Sequence, residues 1–221
     1  SSNNISVVDT TRNLTIKDIP VANSPTKVVA VGTKVYISTS IGITIINSTT
    51  DTVVGTINGV TVQGHMVVVG TKLYVANTAT NQVHIIDTAT DTDVGQVSTG
   101  TAPDFLLVVG TKLYVTNNNS DNVSVIDTNT GILIDTILVG DNPQVMAVSG
   151  TKVIVANVTD DSVSIIDTLS DTVATTTAVG DGPSYVATVD GKAYITAQDS
   201  GDEIYVLDVA TGLVTSQIPV G

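Results

Sequence analysis

Apolar residues run along this chain in short bursts broken by polar punctuation. "KVIVANV" (152–158) and "SVSIIDT" (162–168) are rich in β-branched residues, "PQVMAVSG" (143–150) ends in a glycine-containing turn, and "DTVATTTAVG" (171–180) is a more polar segment. Runs of this length and content predict strands, and no window carries a helical period. The first and second runs of each set are the most continuously apolar, so they are placed innermost. The fourth, rich in Thr, suits an outer edge, where polar side chains discourage pairing with other chains.

The set repeats. "GTKLYVTNNNSDNVSVIDT" (110–128) returns with small edits about every forty residues. Lys34, Lys72, Lys112, Lys152 and Lys192 mark one series, and Asp9, Asn47, Asp87, Asp127, Asp167 and Asp208 mark a second. Pro25, Pro103, Pro143 and Pro183 mark a third, with Gly64 in the slot of the second copy. Three series in phase define a unit of four antiparallel strands. Such a unit cannot bury both of its faces alone, so the expected fold is all-β, a β-propeller whose blades cover one another. The predicted blades are 23–62, 63–101, 102–141, 142–181 and 182–221, within a single domain over 1–221.

The repeats "LYVAN" (73–77), "LYVTN" (113–117) and "VIVAN" (153–157), followed by "VHIIDT", "VSVIDT" and "VSIIDT", resemble the YVTN family of β-propeller repeats across essentially the whole chain. The resemblance implies a secreted or surface-layer propeller, in a family whose architecture also carries lactonase-like and haem-binding relatives. The first copy departs most, reading "VYIST" and "IINST"; the fifth reads "AYITA" and "YVLDV".

The strand count is uneven. "NNISVVDT" and "NLTIKDIPVA" supply a third and a fourth strand before the first complete copy, so residues 1–22 form a two-stranded half blade and the total is twenty-two strands. Three arrangements follow: the chain is a piece of a longer propeller, or a five-bladed ring closes with one hairpin outside, or the half blade completes a neighbouring subunit. The last makes polymers, because a head-to-tail contact that does not close propagates. Its assembly segment is Ile5, Val7, Val8, Leu14, Ile16 and Ile19.

Charge then removes some functions. Eight Lys and Arg against twenty-one Asp and Glu give a net charge of −13. Nucleic acid and anionic membrane surfaces are disfavoured as partners. Cys is absent, which excludes disulfides and thiol chemistry, and no apolar run is long enough to suggest a spanning helix. The opening "SSNNISVV" lacks Met and a basic, apolar leader, as expected of a processed chain. Abundant Ser, Thr and Asn fit an exported protein.

The recurring Asp87, Asp127, Asp167 and Asp208 sit where a strand enters a turn and are expected to accept backbone N–H groups there. The "GTK" turns read as tight connections with exposed lysine. Blade topology gathers Asp104, Asp121, Asp141, Asp160, Asp161, Asp181, Asp199, Asp202 and Glu203 on one face. Asp51, Asp91 and Asp171 fall on the face of the "GTK" turns. Acidic loops raise calcium, with Asp121, Asp160, Asp161, Asp199 and Asp202 as candidate ligands, although neither "NNNSDN" nor "DSGDE" follows the EF-hand pattern. No catalytic residue and no required cofactor is predicted. His65 in "VQGHMVVVG" is the best break in the repeat for a function near the axis, and His84 is expected to face solvent. Tyr36, Tyr74 and Tyr114 occupy one core-type position. Sequons stand at Asn4, Asn13, Asn47, Asn118, Asn122 and Asn157.

The expectation is a non-enzymatic, extracellular structural propeller: a self-assembling surface-layer or filament subunit, not inserted in the membrane. One alternative is a lactonase-like metal-dependent hydrolase using Asp104, Asp141 and Asp181. The other is a propeller binding a protein or glycan ligand across its acidic face.

Overall fold

The computed structural model describes residues 3–22, 24–60, 64–198 and 203–220. Among them are twenty-two strands, all antiparallel in sequence-adjacent pairs. A two-stranded sheet comes first, β1 (Asn4–Asp9) with β2 (Leu14–Pro20). Five four-stranded meanders follow. They are β3 (Val28–Val31), β4 (Lys34–Thr39), β5 (Gly42–Asn47) and β6 (Thr52–Asn58); then β7 (Met66–Val69), β8 (Lys72–Asn77), β9 (Gln82–Asp87) and β10 (Thr92–Ser98). Next are β11 (Pro103–Val109), β12 (Lys112–Asn117), β13 (Asn122–Asp127) and β14 (Ile132–Leu138), followed by β15 (Pro143–Ser149), β16 (Lys152–Asn157), β17 (Ser162–Asp167) and β18 (Thr172–Ala178). The last are β19 (Tyr185–Val189), β20 (Lys192–Thr196), β21 (Glu203–Asp208) and β22 (Leu213–Pro219). The unequal count read from the repeat is therefore the count found.

Two compact units divide the chain, 1–96 and 97–221. In the first, Tyr36, Ile43, Ile45, Leu73, Val75 and Ile86 bury the space between the first two complete sheets, and a smaller cluster of Ile19, Ile37 and Ile46 seats the β1–β2 hairpin on the first of them. Ile5, Val7, Val21 and Val35 pack around that smaller cluster. In the second unit, Tyr114, Val125, Val155 and Ile166 belong to one cluster, while Ile154, Val163, Ile195 and Leu207 belong to another. The inner strands of a sheet have neighbours on both faces, so the alternation of a half-buried strand does not apply to them.

That double coverage overturns one expectation. His84 is 4% exposed, and its counterparts Ser124 and Ser164 are fully buried. Polar identity at this slot reports a buried hydrogen bond, because each of the three meets the asparagine that ends the preceding strand. Asn77 Nδ2 lies 3.2 Å from His84 Nε2, while Asn117 and Asn157 donate to Ser124 and Ser164 at 2.9 and 3.0 Å.

The half blade carries the identity of a third and fourth strand in its geometry. The β5–β6, β13–β14, β17–β18 and β21–β22 pairs shift register at a bulge one residue before the strand-ending Asn or Asp, as at Ile45/Ile46 and Ile165/Ile166. The β1–β2 pair shifts at the matching place, Val7/Val8. A bulge of this kind sets local twist and register, so β1–β2 matches the third and fourth strands of a complete blade.

Candidate functional site

Each third strand runs into a turn organised by its last residue. Asp87 Oδ1 accepts N–H bonds from Ala89 and Thr90 at 2.8 and 3.0 Å, Asp127 does so from Asn129 and Thr130, and Asp9 from Thr11 and Arg12. These donors hold several of the carboxyls below the usual carboxylate range. At Asp87 the Thr90 and Ala89 N–H groups lead, at Asp208 the Thr211 N–H and hydroxyl, and at Asp167 the Lys152 ammonium followed by the Leu169 N–H. Four residues after the strand-ending side chain, the backbone turns left-handed. That slot holds Asn13, Asp51, Asp91, Gly131, Asp171 and Gly212, with φ between 50° and 71°. Asn, Asp and Gly are the residues that tolerate this region best.

Two aspartates in that slot, Asp91 and Asp171, tie sheet to sheet. Lys34 Nζ donates to the Thr88 carbonyl at 2.8 Å and meets Asp91 Oδ2 at 2.7 Å; the Tyr36 hydroxyl donates to Asp91 Oδ1 at 2.6 Å. Lys112 and Tyr114 repeat this on Thr168 and Asp171, at 2.9, 2.6 and 2.7 Å. A Lys-x-Tyr pair on the second strand of one sheet thus clasps the Asp in the third-to-fourth turn of the next. Burial, reinforced by the Asp hydrogen bond, raises both phenols well above the ordinary tyrosine range. The lysines of the "GTK" turns were expected to be exposed. At Lys34 and Lys112 they are instead half-buried ion-pair partners, because the strand that starts at lysine lies against the following sheet.

At the last sheet both halves of the clasp change. Gly212 fills the aspartate slot of the last sheet, and any side chain there would run into the Thr175 methyl. The facing strand carries Ile154 in place of tyrosine, and Lys152 pairs instead with Asp167 at 2.7 Å.

The acidic loops are largely consumed by structure. Asp121 Oδ1 accepts the Asn142 N–H at 3.0 Å, and Asp161 Oδ1 accepts that of Gly182 at 2.9 Å, each joining a second-to-third loop to the loop between blades. Asp160 accepts from the Ser162 hydroxyl, and Asp104 from Asn118 Nδ2 at 3.5 Å. The Asp141 and Asp181 carbonyls accept from Thr159 and Gln198, so these loops share a side in unit 97–221 as topology predicts. No three His, Cys, Asp or Glu side chains converge on a metal-sized space among the described residues. Asp199 and Asp202 lie outside the described residues. The His65 carbonyl accepts the Ala76 N–H.

Two of the six sequons need correction. Asn157 is fully buried with Nδ2 donating to Ser162 and Ser164, and Asn122 is 9% exposed with Nδ2 on the Ser120 carbonyl. A folded chain cannot carry a glycan on either nitrogen. Asn118 is half-buried against Asp104, and Asn47 caps its turn through Oδ1. Asn13 is exposed and Asn4 half-buried in β1.

What stands open is the edge of β1. Among the described residues it has β2 on one side only, whereas every other third strand also has a second strand. A cavity of about 320 Å³ lies against it, lined by residues that include Ile5, Val7, Val8, Ile46, Ser48 and Asp51. Another of about 300 Å³ is lined by Asn4, Ile5, Pro25, Thr26, Lys27 and Val28. Of the six residues expected to drive assembly, Ile5, Val7 and Ile19 pack onto the first complete sheet, while Val8, Leu14 and Ile16 are 52%, 59% and 57% exposed.

No protein-family model matches the chain, and no curated protein matches it. Solved structures do. Hydrazine synthase from Kuenenia stuttgartiensis is similar at a TM-score of 0.62 and 26% identity over 68% of this chain and 46% of that one. BamB from Moraxella catarrhalis gives 0.83 and 16%, over 99% and 68% of the two chains. A chain of the mitotic checkpoint complex gives 0.82 and 13%, over 99% and 72%. This chain spans less than half of the hydrazine synthase chain it matches. The fold is that of a β-propeller, with five four-stranded blades and a two-stranded half blade. Fold alone does not assign activity.

Proposed function

We propose that this chain is a non-enzymatic, extracellular structural propeller, a surface-layer or filament-type subunit that assembles with its own kind through the half blade. The observation that carries the reading is the two-stranded sheet with its free edge, its bulge in the register of a complete blade and its exposed apolar side chains. An unpaired edge beside apolar surface is a template for strand addition, and natural proteins otherwise blunt it. The resemblance to YVTN repeats supports a surface-layer setting. The scarcity of cations and the sequons at Asn4 and Asn13 support an exported location. Protein partnership also fits the likeness to a chain of the mitotic checkpoint complex, itself a protein assembly.

No observation favours a lactonase-like hydrolase: Asp104, Asp141 and Asp181 form no cluster. The reading needs no cofactor, and calorimetric titration with calcium tests the acidic loops directly. Deleting residues 1–21 and comparing sedimentation with the intact chain tests the proposal. Assemblies that disappear on deletion uphold it, and assemblies unchanged by deletion overturn it.

A further inference from the structure

Two halves of the clasp stand unfilled among the described residues. Asp51 occupies the aspartate slot of the first complete blade with φ 50°, as Asp91 and Asp171 do with 57° and 52°. It lines the 320 Å³ cavity beside β1, and its carboxylate has no partner among the described residues. By the geometry of Lys34–Tyr36 on Asp91, the partners that fit it are a Lys and a Tyr on a second strand lying beside β1. The last blade has the converse. Lys192 and Tyr194 keep the Lys-x-Tyr spacing on β20, yet their side chains make no hydrogen bond among the described residues. Tyr194 is half-buried where Tyr36 and Tyr114 are fully covered.

We infer that a second copy of this chain supplies the missing strand: its β19–β20 hairpin pairs with the free edge of β1, and its Lys192 and Tyr194 close on Asp51. The inference rests on the assembly reading above and names the contact that performs it. In the isolated chain β20 pairs with β21, Lys192 opposite Asp208, Ala193 opposite Leu207 and Tyr194 opposite Val206. The third strand β1 has the same role and the same ending, so Asp9, Val8 and Val7 take those three places. The β1–β2 hairpin of one copy displaces β21–β22 of the next. Each junction loses one strand pairing and gains one, and releases Val206 and Leu207 as Val7 and Val8 of the other copy take their places. The Lys and Tyr bonds to Asp51, absent from the separate chains, favour the exchange. A head-to-tail exchange of this kind propagates wherever it does not close into a ring.

The test uses the full chain, which has no cysteine of its own. One batch carries Val8→Cys and another Ala193→Cys; the two are mixed, allowed to assemble and oxidised. A disulfide-linked pair with one copy of each variant is expected. Adding Asp51→Asn to the Val8→Cys copy should lower its yield roughly tenfold or more. Asparagine tolerates the left-handed backbone, so this change leaves the turn intact. Absence of the mixed disulfide, or its persistence with Asp51→Asn, overturns the inference. Carrying both cysteines in one chain and finding only an intramolecular disulfide in monomers also overturns it, in favour of self-closure. If sedimentation shows assemblies that need residues 1–21 but no mixed disulfide forms, the assembly reading stands and this contact falls. If no assemblies form, both fall.

Discussion

The Tyr36 hydroxyl lies 2.6 Å from Asp91 Oδ1, fifty-five residues away, and Tyr114 stands in the same relation to Asp171 at 2.7 Å. Each phenol donates to a carboxylate that also receives a lysine ammonium, so one aspartate gathers two donors from the neighbouring blade.

Removing either hydroxyl leaves that half-buried carboxylate with one donor fewer. Tyr36→Phe and Tyr114→Phe should each cost about 1–2 kcal/mol, the range for a hydrogen bond to a charged group with some solvent access. Lys34→Met should cost less, about 0.5–1 kcal/mol, because the ammonium is partly exposed. Urea denaturation of the single variants measures both. Equal costs for Tyr→Phe and Lys→Met would show that the phenol has no special part in the clasp.

The same phenols make the fold sensitive to alkali. Their protons are held more tightly in the folded chain than in the unfolded one, since burial and the adjacent aspartate both oppose the phenolate. The stabilisation is complete below the unfolded tyrosine pKa of about 10 and is lost progressively above it. Thermal melting followed from neutral pH to about pH 11 should show a falling Tm in the native chain. The fall should be shallower in the Tyr36→Phe, Tyr114→Phe double variant.

The repeat made the strand count, the blade order and the half blade legible, because period and β-branched runs act locally. The clasp was not legible, although both of its parts were visible: Lys-x-Tyr read as turn plus core, and Asp91 read only as an acidic residue on the face of the "GTK" turns. Nothing in a single sequence pairs residues more than fifty positions apart. The joint change of Tyr to Ile154 and Asp to Gly212 was one signal, blurred by Gly131, whose preceding copy keeps Tyr74. His84 was misplaced for a related reason, since a polar residue in an inner strand is hidden when sheets cover both of its faces.

Acid should act through the turn aspartates. Asp87, Asp167 and Asp208 lose their protons more readily in the folded chain than in the unfolded one, because N–H, hydroxyl or ammonium donors meet the carboxylate. Their contribution is present above the unfolded carboxylate value of about 4 and is lost as pH falls through their lowered folded values. Melting between about pH 6 and pH 2 should show Tm dropping below about pH 4. Asp87→Asn should reduce the slope of that drop, and an unchanged slope would remove Asp87 from the acid response.

Gly42 is the tightest backbone position in the first complete blade. It follows a two-residue connection from Thr39, has φ 151°, and a Cβ there would collide with the Ile57 carbonyl on the adjacent strand. Backbone cannot move aside as a flexible side chain can. Gly42→Ala should therefore cost more than about 2 kcal/mol. Gly32→Ala, with open space around its Cβ, should cost only about 1 kcal/mol from its left-handed backbone. Chemical denaturation of both variants gives the comparison, and equal losses would contradict the contact argument.

His84 offers the last test, because the buried Asn77 and the solvent-accessible Asp93 both depend on it. Its Nδ1 lies 2.7 Å from Asp93 Oδ2 and its Nε2 meets Asn77. His84→Leu leaves the buried Asn77 amide without this partner and Asp93 to water, and should cost about 1–3 kcal/mol. His84→Ser recreates the Asn–Ser bond seen at Asn117–Ser124 and Asn157–Ser164, but still leaves Asp93 without its imidazole. The slot of Asp93 holds Val173 two blades later, packed against the core. His84→Ser with Asp93→Val should therefore recover most of the stability lost in His84→Ser, a coupling that a double-mutant cycle in urea measures directly. Simple additivity of the two changes would mean that His84 and Asp93 do not support each other.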